Sequence, residues 1–152
     1  AAMNDDIRMV TMLVNNGAFI DCTDDCKRTP LMISCERDHE TISEFLMDRG
    51  ASTIKKDSYG DSALHIAVKS KSYDCMTKLF SAERAVNVNS KNNIHDTPLH
   101  IACRMGFHSI SRNLLDEEAD PHLVNKFGKS PLDEANLADN NRLRNIIMRY
   151  VS

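Results

Sequence analysis

Residues 96–106 read Asp96-Thr97-Pro98-Leu99-His100-Ile101-Ala102-Cys103-Arg104-Met105-Gly106. A Thr-Pro pair before an apolar run predicts a helix start, because threonine caps the first turn and proline lacks only an N–H that this turn leaves unpaired. Leu99, Ala102 and Cys103 then recur at the spacing of one buried helical face. Gly106 favours the left-handed backbone that ends a helix. So short a helix needs neighbours on which to bury its apolar face.

The same pattern recurs along the chain. It begins at positions 29, 62, 97 and 130, so successive copies lie 33, 35 and 33 residues apart. A period of about 33 residues with the signature Thr-Pro-Leu-His-x-Ala is that of the ankyrin repeat. Residues 97–102 match the signature at every position. The chain therefore resembles the ankyrin-repeat family over essentially its whole length.

The resemblance implies an all-α solenoid in which each repeat is a β-hairpin loop followed by two antiparallel helices. We expect one domain, 1–152, made of residues 1–23 (a partial repeat), 24–56, 57–91 (irregular, with a two-residue insertion around 81–88), 92–125 and 126–152 (a C-terminal capping repeat). Residues 1–23 lack the start of their repeat, which predicts either a piece of a longer protein or an irregular N-terminal cap. Bulky residues stand where the repeat pattern has glycine, at Lys27, Lys71, His95 and Glu118. A bulky residue forced to positive φ costs about 1–3 kcal/mol, which predicts that the repeat 57–91, with Lys71, is the least regular one.

Composition argues against several classes of function. A formal net charge of −3 gives no basic footprint, so we expect no direct nucleic-acid binding. No apolar run reaches the roughly 18 residues of a membrane span, so we expect no membrane insertion. Five cysteines, an odd number, disfavour a disulfide framework and indicate a cytoplasmic or nuclear protein.

The histidines of the signature have a structural interpretation. In the ankyrin-repeat family this side chain bonds the serine or threonine three residues earlier and neighbouring backbone, which implies such links at His65 and His100. Met32 and Asp133 replace the histidine in the other two copies, so those links should be missing or different.

The sequence offers no convincing catalytic or metal site. Cys22, Cys26, Cys35 and His39 are zinc-ligand types in a short window. In an ankyrin frame, however, Cys26 lies at a hairpin tip and Cys35 inside a helix pair, so the four cannot surround one ion. No phosphate loop, Ser/His/Asp set or paired carboxylates appear. We therefore expect no enzyme, no cofactor and no metal.

The hairpin tips carry the more informative pattern. The residue three positions before each signature is Cys26, Tyr59, Ile94 or Phe127. In the family this position projects from the body, so the four side chains (the tip stripe) would form a contiguous apolar surface of the kind that marks interaction sites. Three steps of helix packing span roughly 30 Å, the length of about nine extended residues. Packing against the adjacent hairpin is the alternative.

The resemblance also places a row of residues on the concave groove. This groove row consists of Glu36, Lys69, Arg104 and Leu137, with Arg37, Ser70, Met105 and Ala138 beside them. The tips change from acidic at Asp57, Asp61 and Asp96 to basic at Lys126 and Lys129, so negative charge on a partner would suit the C-terminal end. The predicted binding residues are Arg28, Glu36, Tyr59, Asp61, Lys69, Ile94, Asp96, Arg104, Met105, Phe127 and Lys129.

These features predict a non-catalytic module that binds a protein or peptide through its hairpin tips and concave groove, as a scaffold or signalling adaptor does. One alternative is an inhibitor that masks a transcription factor, as IκB-like ankyrin proteins do. Another is a structural segment of a longer ankyrin scaffold or of a channel's cytosolic arm. An accessory domain attached to a catalytic one is a third.

Overall fold

The computed structural model describes residues 20–82 and 86–151, together with Met12. This part of the chain contains eight helices, in four pairs, and no β-strand. They are α1 (Pro30–Glu36), α2 (Glu40–Asp48), α3 (Ala63–Lys69), α4 (Tyr73–Ser81), α5 (Pro98–Arg104), α6 (His108–Asp116), α7 (Pro131–Leu137) and α8 (Asn141–Val151). The all-α solenoid is thus confirmed. The partial repeat predicted over 1–23 falls mostly outside the described residues, as do residues 83–85 of the predicted insertion.

Each first helix begins at the signature as predicted. Thr29, Ser62, Thr97 and Ser130 are the N-caps of α1, α3, α5 and α7, and each forms a reciprocal capping box with the residue three positions later. Proline occupies the first turn of α1, α5 and α7. Because four caps of one kind start four helices at the same phase, the helices present equivalent faces to one another.

The helices stack in two rows. The first helices α1, α3, α5 and α7 pack in sequence, while α2 packs on α4 and α6 on α8. Leu99, Ala102 and Cys103 are fully buried, which confirms the apolar face predicted for α5. The second-helix row opens between α4 and α6 into a gap of about 370 Å³. None of the described helices is long and apolar enough to cross a membrane.

The loops differ from the expectation in one respect. In the described residues, the hairpins form as turns without β-strands. Each turn closes with the same two backbone hydrogen bonds, such as those from Asp57 N–H to the Asp61 carbonyl and from Gly60 N–H to the Asp57 carbonyl, both at 3.0 Å. Left-handed backbone occurs at the four residues that replace a glycine of the repeat pattern, Lys27 (φ 60°), Lys71 (φ 54°), His95 (φ 62°) and Glu118 (φ 67°).

Candidate functional site

Every hairpin tip is shaped by one side-chain acceptor. Asp57 Oδ1 accepts hydrogen bonds from the backbone N–H groups of Tyr59 and Asp61, both at 2.9 Å. The same position in the other repeats accepts the equivalent two amides through Asp24, Asn92 and Asn125. An Asp or Asn in this role holds a tight turn without strand pairing. The tips therefore share one conformation.

Backbone hydrogen bonds join successive tips. Ser58 N–H donates to the Cys26 carbonyl at 2.9 Å, and Asn93 N–H donates to the Tyr59 carbonyl at 3.0 Å. A third bond runs from Lys126 N–H to the Ile94 carbonyl, also at 3.0 Å. In each bond the accepting carbonyl belongs to a residue of the tip stripe. The bonds therefore fix the spacing and orientation of the stripe.

The side chains of the tip stripe project into solvent. Tyr59 is 70% exposed and Phe127 is 68% exposed, whereas Ile94 is 38% exposed. Cys26 is exposed as well. Tyr59 and Phe127 therefore do not pack back onto the neighbouring hairpin. The four side chains of the tip stripe are thus exposed, each on its own turn.

The two signature histidines each anchor the following hairpin to their own helix. His65 Nε2 donates to the Asp96 carbonyl at 3.0 Å, and His65 Nδ1 accepts from Ser62 N–H at 3.1 Å. His100 Nε2 likewise donates to the Lys129 carbonyl at 2.9 Å. Burial lowers the pKa of both imidazoles, so they stay neutral and can donate and accept at once. The predicted histidine links are confirmed.

In the two repeats that lack this histidine, the side chain at its position accepts a hydrogen bond, among the described residues, only from the N-cap residue three positions earlier. The Met32 sulfur accepts from Thr29 N–H at 3.4 Å, and an Asp133 carboxylate oxygen accepts from Ser130 N–H at 2.9 Å. Both bonds stay within one repeat. As predicted, the link to the next hairpin differs there.

Ion pairs tie three hairpins to their own first helices. In each, the two partners lie eight residues apart: Arg28 Nη1 with Glu36 Oε2 at 3.0 Å, Asp61 with Lys69, and Asp96 Oδ2 with Arg104 Nη1 at 2.8 Å. The charges are reversed in the first of these pairs. In the last repeat, Lys129 and Leu137 occupy the same positions and form no such pair.

The expectation that Asp61 and Asp96 lie on the surface is wrong. They are only 2% and 0% exposed. The next hairpin covers them, since Asn92 Nδ2 donates to Asp61 Oδ1 at 3.0 Å and Asn125 Nδ2 donates to Asp96 Oδ1 at 2.9 Å. These two carboxylates are therefore buried groups whose charges are paired with Lys69 and Arg104.

Arg104 also binds an acid that sequence reasoning missed. Its Nη2 and Nε donate to the two carboxylate oxygens of Glu134, at 2.8 and 3.2 Å. Glu134 lies on α7 and is buried. These hydrogen bonds, with the ion pair to Asp96, raise the pKa of Arg104. The available signal was a charged residue at a signature position that is isoleucine in the other three copies.

The groove row is exposed along its whole length, together with the residues beside it. It changes in character along the array: Glu36 is acidic, Lys69 and Arg104 are basic, and the far end is apolar at Met105 and Leu137. The basic members are held in place by their buried carboxylates. A concavity of about 520 Å³ lies elsewhere, between α2 and α4.

The possible zinc ligands are not brought together in the described part of the chain. Cys22 and Cys26 are exposed, whereas Cys35 is buried in the core. No group of three or more His, Cys, Asp or Glu side chains suited to a metal ion occurs among the described residues. All five cysteines are free thiols.

Comparison with known families agrees with the architecture. Residues 1–92 match the family model described as "Ankyrin repeats (3 copies)", and residues 95–126 match one described as "Ankyrin repeat". Together these matches cover most of the chain.

Individual relatives are diverse. The chain is 28% identical to the human B-cell lymphoma 3 protein, over 90% of this chain and 30% of that protein. It is 29% identical to human transient receptor potential cation channel subfamily A member 1, over 84% of this chain and 11% of the channel. It is 28% identical to L-asparaginase of Dirofilaria immitis, over 89% of this chain and 28% of that protein. The chain thus spans less than a third of each of these relatives.

Proposed function

The chain belongs to the ankyrin-repeat family, and from this we propose that it is a non-catalytic module that binds a protein or peptide along the tip stripe and the groove row. Ankyrin repeats generally mediate protein–protein interaction, and the family is generally non-catalytic. The observation that carries the proposal is the tip stripe itself, whose exposed Tyr59 and Phe127 stand on hydrogen-bonded turns. A rigid surface loses little conformational entropy on binding, which favours affinity.

The proposed contact residues follow from this geometry. Apolar anchors on the partner would meet Tyr59, Ile94 and Phe127. Polar contacts would come from Arg28, Glu36, Lys69, Arg104 and Lys129, with Met105 adding an apolar surface. Asp61 and Asp96 would act indirectly, because they hold Lys69 and Arg104 in place. Negative charge on the partner would suit the C-terminal end, at Lys126 and Lys129.

Neither a metal nor a cofactor is part of the proposal. The likeness to L-asparaginase covers 28% of that protein, and we infer that it lies in a repeat region. Three free cysteines packed as small hydrophobes suit the cytoplasm or nucleus, where we place the protein. An inhibitor of a transcription factor and a segment of a longer scaffold or channel would be particular uses of the same surface.

The test is capture of partners from cytosolic and nuclear extracts. The wild-type chain is compared with a triple variant, Tyr59→Ser, Ile94→Ser and Phe127→Ser. A matched control replaces three exposed apolar residues away from the stripe, Ile54→Ser, Tyr73→Ser and Met148→Ser. Circular dichroism first establishes that all three proteins are folded.

We expect a partner that binds the wild type and the control but not the stripe variant. If every captured protein binds all three chains equally, the tip stripe is not the binding surface. A further variant, Met105→Glu with Leu137→Glu, then tests the groove row separately.

A further inference from the structure

A second charged surface lies among the second helices, apart from the tips and the groove. Arg142, Asn145, Ile146 and Arg149 of α8 recur at positions i, i+3, i+4 and i+7, which places them along one face of that helix. They line a cavity of about 390 Å³ together with Arg112 of α6. We call this cavity the arginine cleft. Ile146 is buried and forms its floor, whereas the three arginines are exposed.

The arginines of the cleft differ from most others in the described residues. Arg28 and Arg104 form ion pairs, and the Arg49 guanidinium lies 4.9 Å from the Phe45 ring centre. In the described part of the chain, the side chains of Arg112, Arg142 and Arg149 form no ion pair and no hydrogen bond. Three cations therefore share one cleft in a chain whose net charge is −3.

Two acids of α6 lie outside the lining of the arginine cleft. Asp116 Oδ1 accepts a hydrogen bond from the Tyr150 hydroxyl of α8. Asp116 and Glu117 line the neighbouring gap between α4 and α6, not the arginine cleft. The hydrogen bond to Asp116 raises the pKa of Tyr150, so the hydroxyl keeps its proton and remains a donor to this carboxylate at neutral pH. The three arginines that line the cleft form no ion pair with these acids in the described part of the chain.

We propose that the arginine cleft binds an acidic segment of a protein partner, with carboxylates paired to Arg112, Arg142 and Arg149. Guanidinium groups match carboxylates in two-pronged pairs, and unpaired ones lose no existing partner on binding. The seven steps from Arg142 to Arg149 rise about 10 Å along α8. Three residues of an extended chain cover about the same distance, so Asp or Glu at every third position matches the cleft.

Nucleic acid fits the cleft less well. No aromatic side chain lines it, so it offers no stacking platform for bases. The chain as a whole repels a polyanion, whereas a short acidic segment meets only the local positive charge. This inference does not rest on the proposed function, because the cleft shares no residue with the tip stripe or the groove row.

The test is fluorescence anisotropy with a labelled synthetic peptide. The probe has about twelve residues with Glu at every third position and Ser or Thr between, and a second peptide has Gln in place of each Glu. The full chain is compared with Arg142→Glu/Arg149→Glu, with the milder Arg142→Gln/Arg149→Gln, and with Arg112→Glu. The matched control is Arg144→Glu, which changes the charge of α8 outside the cleft.

We expect the Glu peptide to bind the wild type more tightly than the Gln peptide does, and added salt to weaken that binding. Charge reversal at Arg142 and Arg149 should lower affinity about tenfold or more, and Arg144→Glu about twofold or less. The loss of affinity in Arg142→Gln/Arg149→Gln should lie between these two values. If the charge-reversed variant fails to fold, this milder variant still tests the two arginines. Equal binding of both peptides, or equal losses from Arg144→Glu and the cleft variants, overturns the proposal. So does tighter binding of a single-stranded oligonucleotide at the same residues.

Discussion

The third residue after the Asp or Asn of each hairpin turn has left-handed backbone, whatever its side chain. Glycine adopts this conformation without steric cost at Gly60 (φ 76°), whereas His95 holds φ at 62° with a full side chain. A non-glycine residue in this region carries about 1–3 kcal/mol of strain. His95 is exposed, so the strain brings no compensating burial.

We expect His95→Gly to raise the free energy of unfolding by about 0.5–1 kcal/mol, since relief of strain exceeds the added entropy of the unfolded chain. Urea denaturation followed by circular dichroism measures it. Gly60→Ala is the converse test and should destabilise by about 1–3 kcal/mol, because an added Cβ would also overlap the Asn93 side chain. A neutral Gly60→Ala, or a destabilising His95→Gly, contradicts this interpretation.

The limits of sequence reasoning are clear at single residues. The left-handed position of His95 follows from the repeat pattern alone, and so does the link made by His100. The burial of Asp61 and Asp96 does not, because it depends on how the next hairpin stacks against its neighbour. Sequence places a charge at a hairpin but does not show which side of that hairpin a neighbour covers.

Between elements, the histidine links make the stability of the array depend on pH. In the folded chain, burial lowers the pKa of His65 and His100. The unfolded chain titrates near the ordinary value of about 6.5 and therefore binds more protons at mildly acidic pH. The stabilisation is fully present above that value and is lost progressively as the pH falls below it.

We expect the free energy of unfolding to decrease from about pH 7.5 to pH 5.5, by at most about 1.4 kcal/mol per pH unit for each buried histidine. Urea unfolding at a series of pH values gives the slope. His100→Gln should make the slope shallower, whereas His122→Gln, at an exposed position, should leave it unchanged. An unchanged slope in the His100 variant would show that the link does not titrate as inferred.

Arg104 joins two helices through two buried acids. It binds Asp96 beside α5 and Glu134 on α7. Removing the arginine leaves two buried carboxylates without a counter-charge. Because Arg104 is itself partly exposed, water offsets some of the loss that a fully buried pair would show.

We expect Arg104→Met to lower the free energy of unfolding by about 2–4 kcal/mol, whereas Arg142→Met, which loses no ion pair, should change it by about 0.5 kcal/mol or less. Chemical denaturation of both variants supplies the comparison. Adding Glu134→Gln to Arg104→Met should restore part of the stability, since it removes one uncompensated charge. Equal effects of the two arginine variants would show that the ion pairs contribute nothing.

At the scale of the whole molecule, the repeat spacing predicts the architecture and the phase of every first helix. It also predicts which apolar residues reach the tips, because the register of the signature determines them. The arginine cleft was not predicted. It combines one residue of α6 with a face of α8, and their proximity depends on the packing of second helices from different repeats. The gap between α4 and α6 likewise follows from packing that a repeat pattern does not encode.

In this array, the residues that stabilise the fold are different from the residues that are exposed at the tips. Tyr59 and Phe127 are largely exposed, whereas Leu99 is fully buried between stacked helices. We expect Tyr59→Ser and Phe127→Ser each to change the free energy of unfolding by about 0.5 kcal/mol or less, and Leu99→Ala to lower it by about 2–5 kcal/mol. Urea denaturation of the three variants measures these differences. If the tip variants are as destabilising as Leu99→Ala, the stripe is part of the core and cannot vary independently of the fold. If they are neutral, any partner lost by the stripe variant is lost through missing contacts, because the fold beneath the stripe is intact.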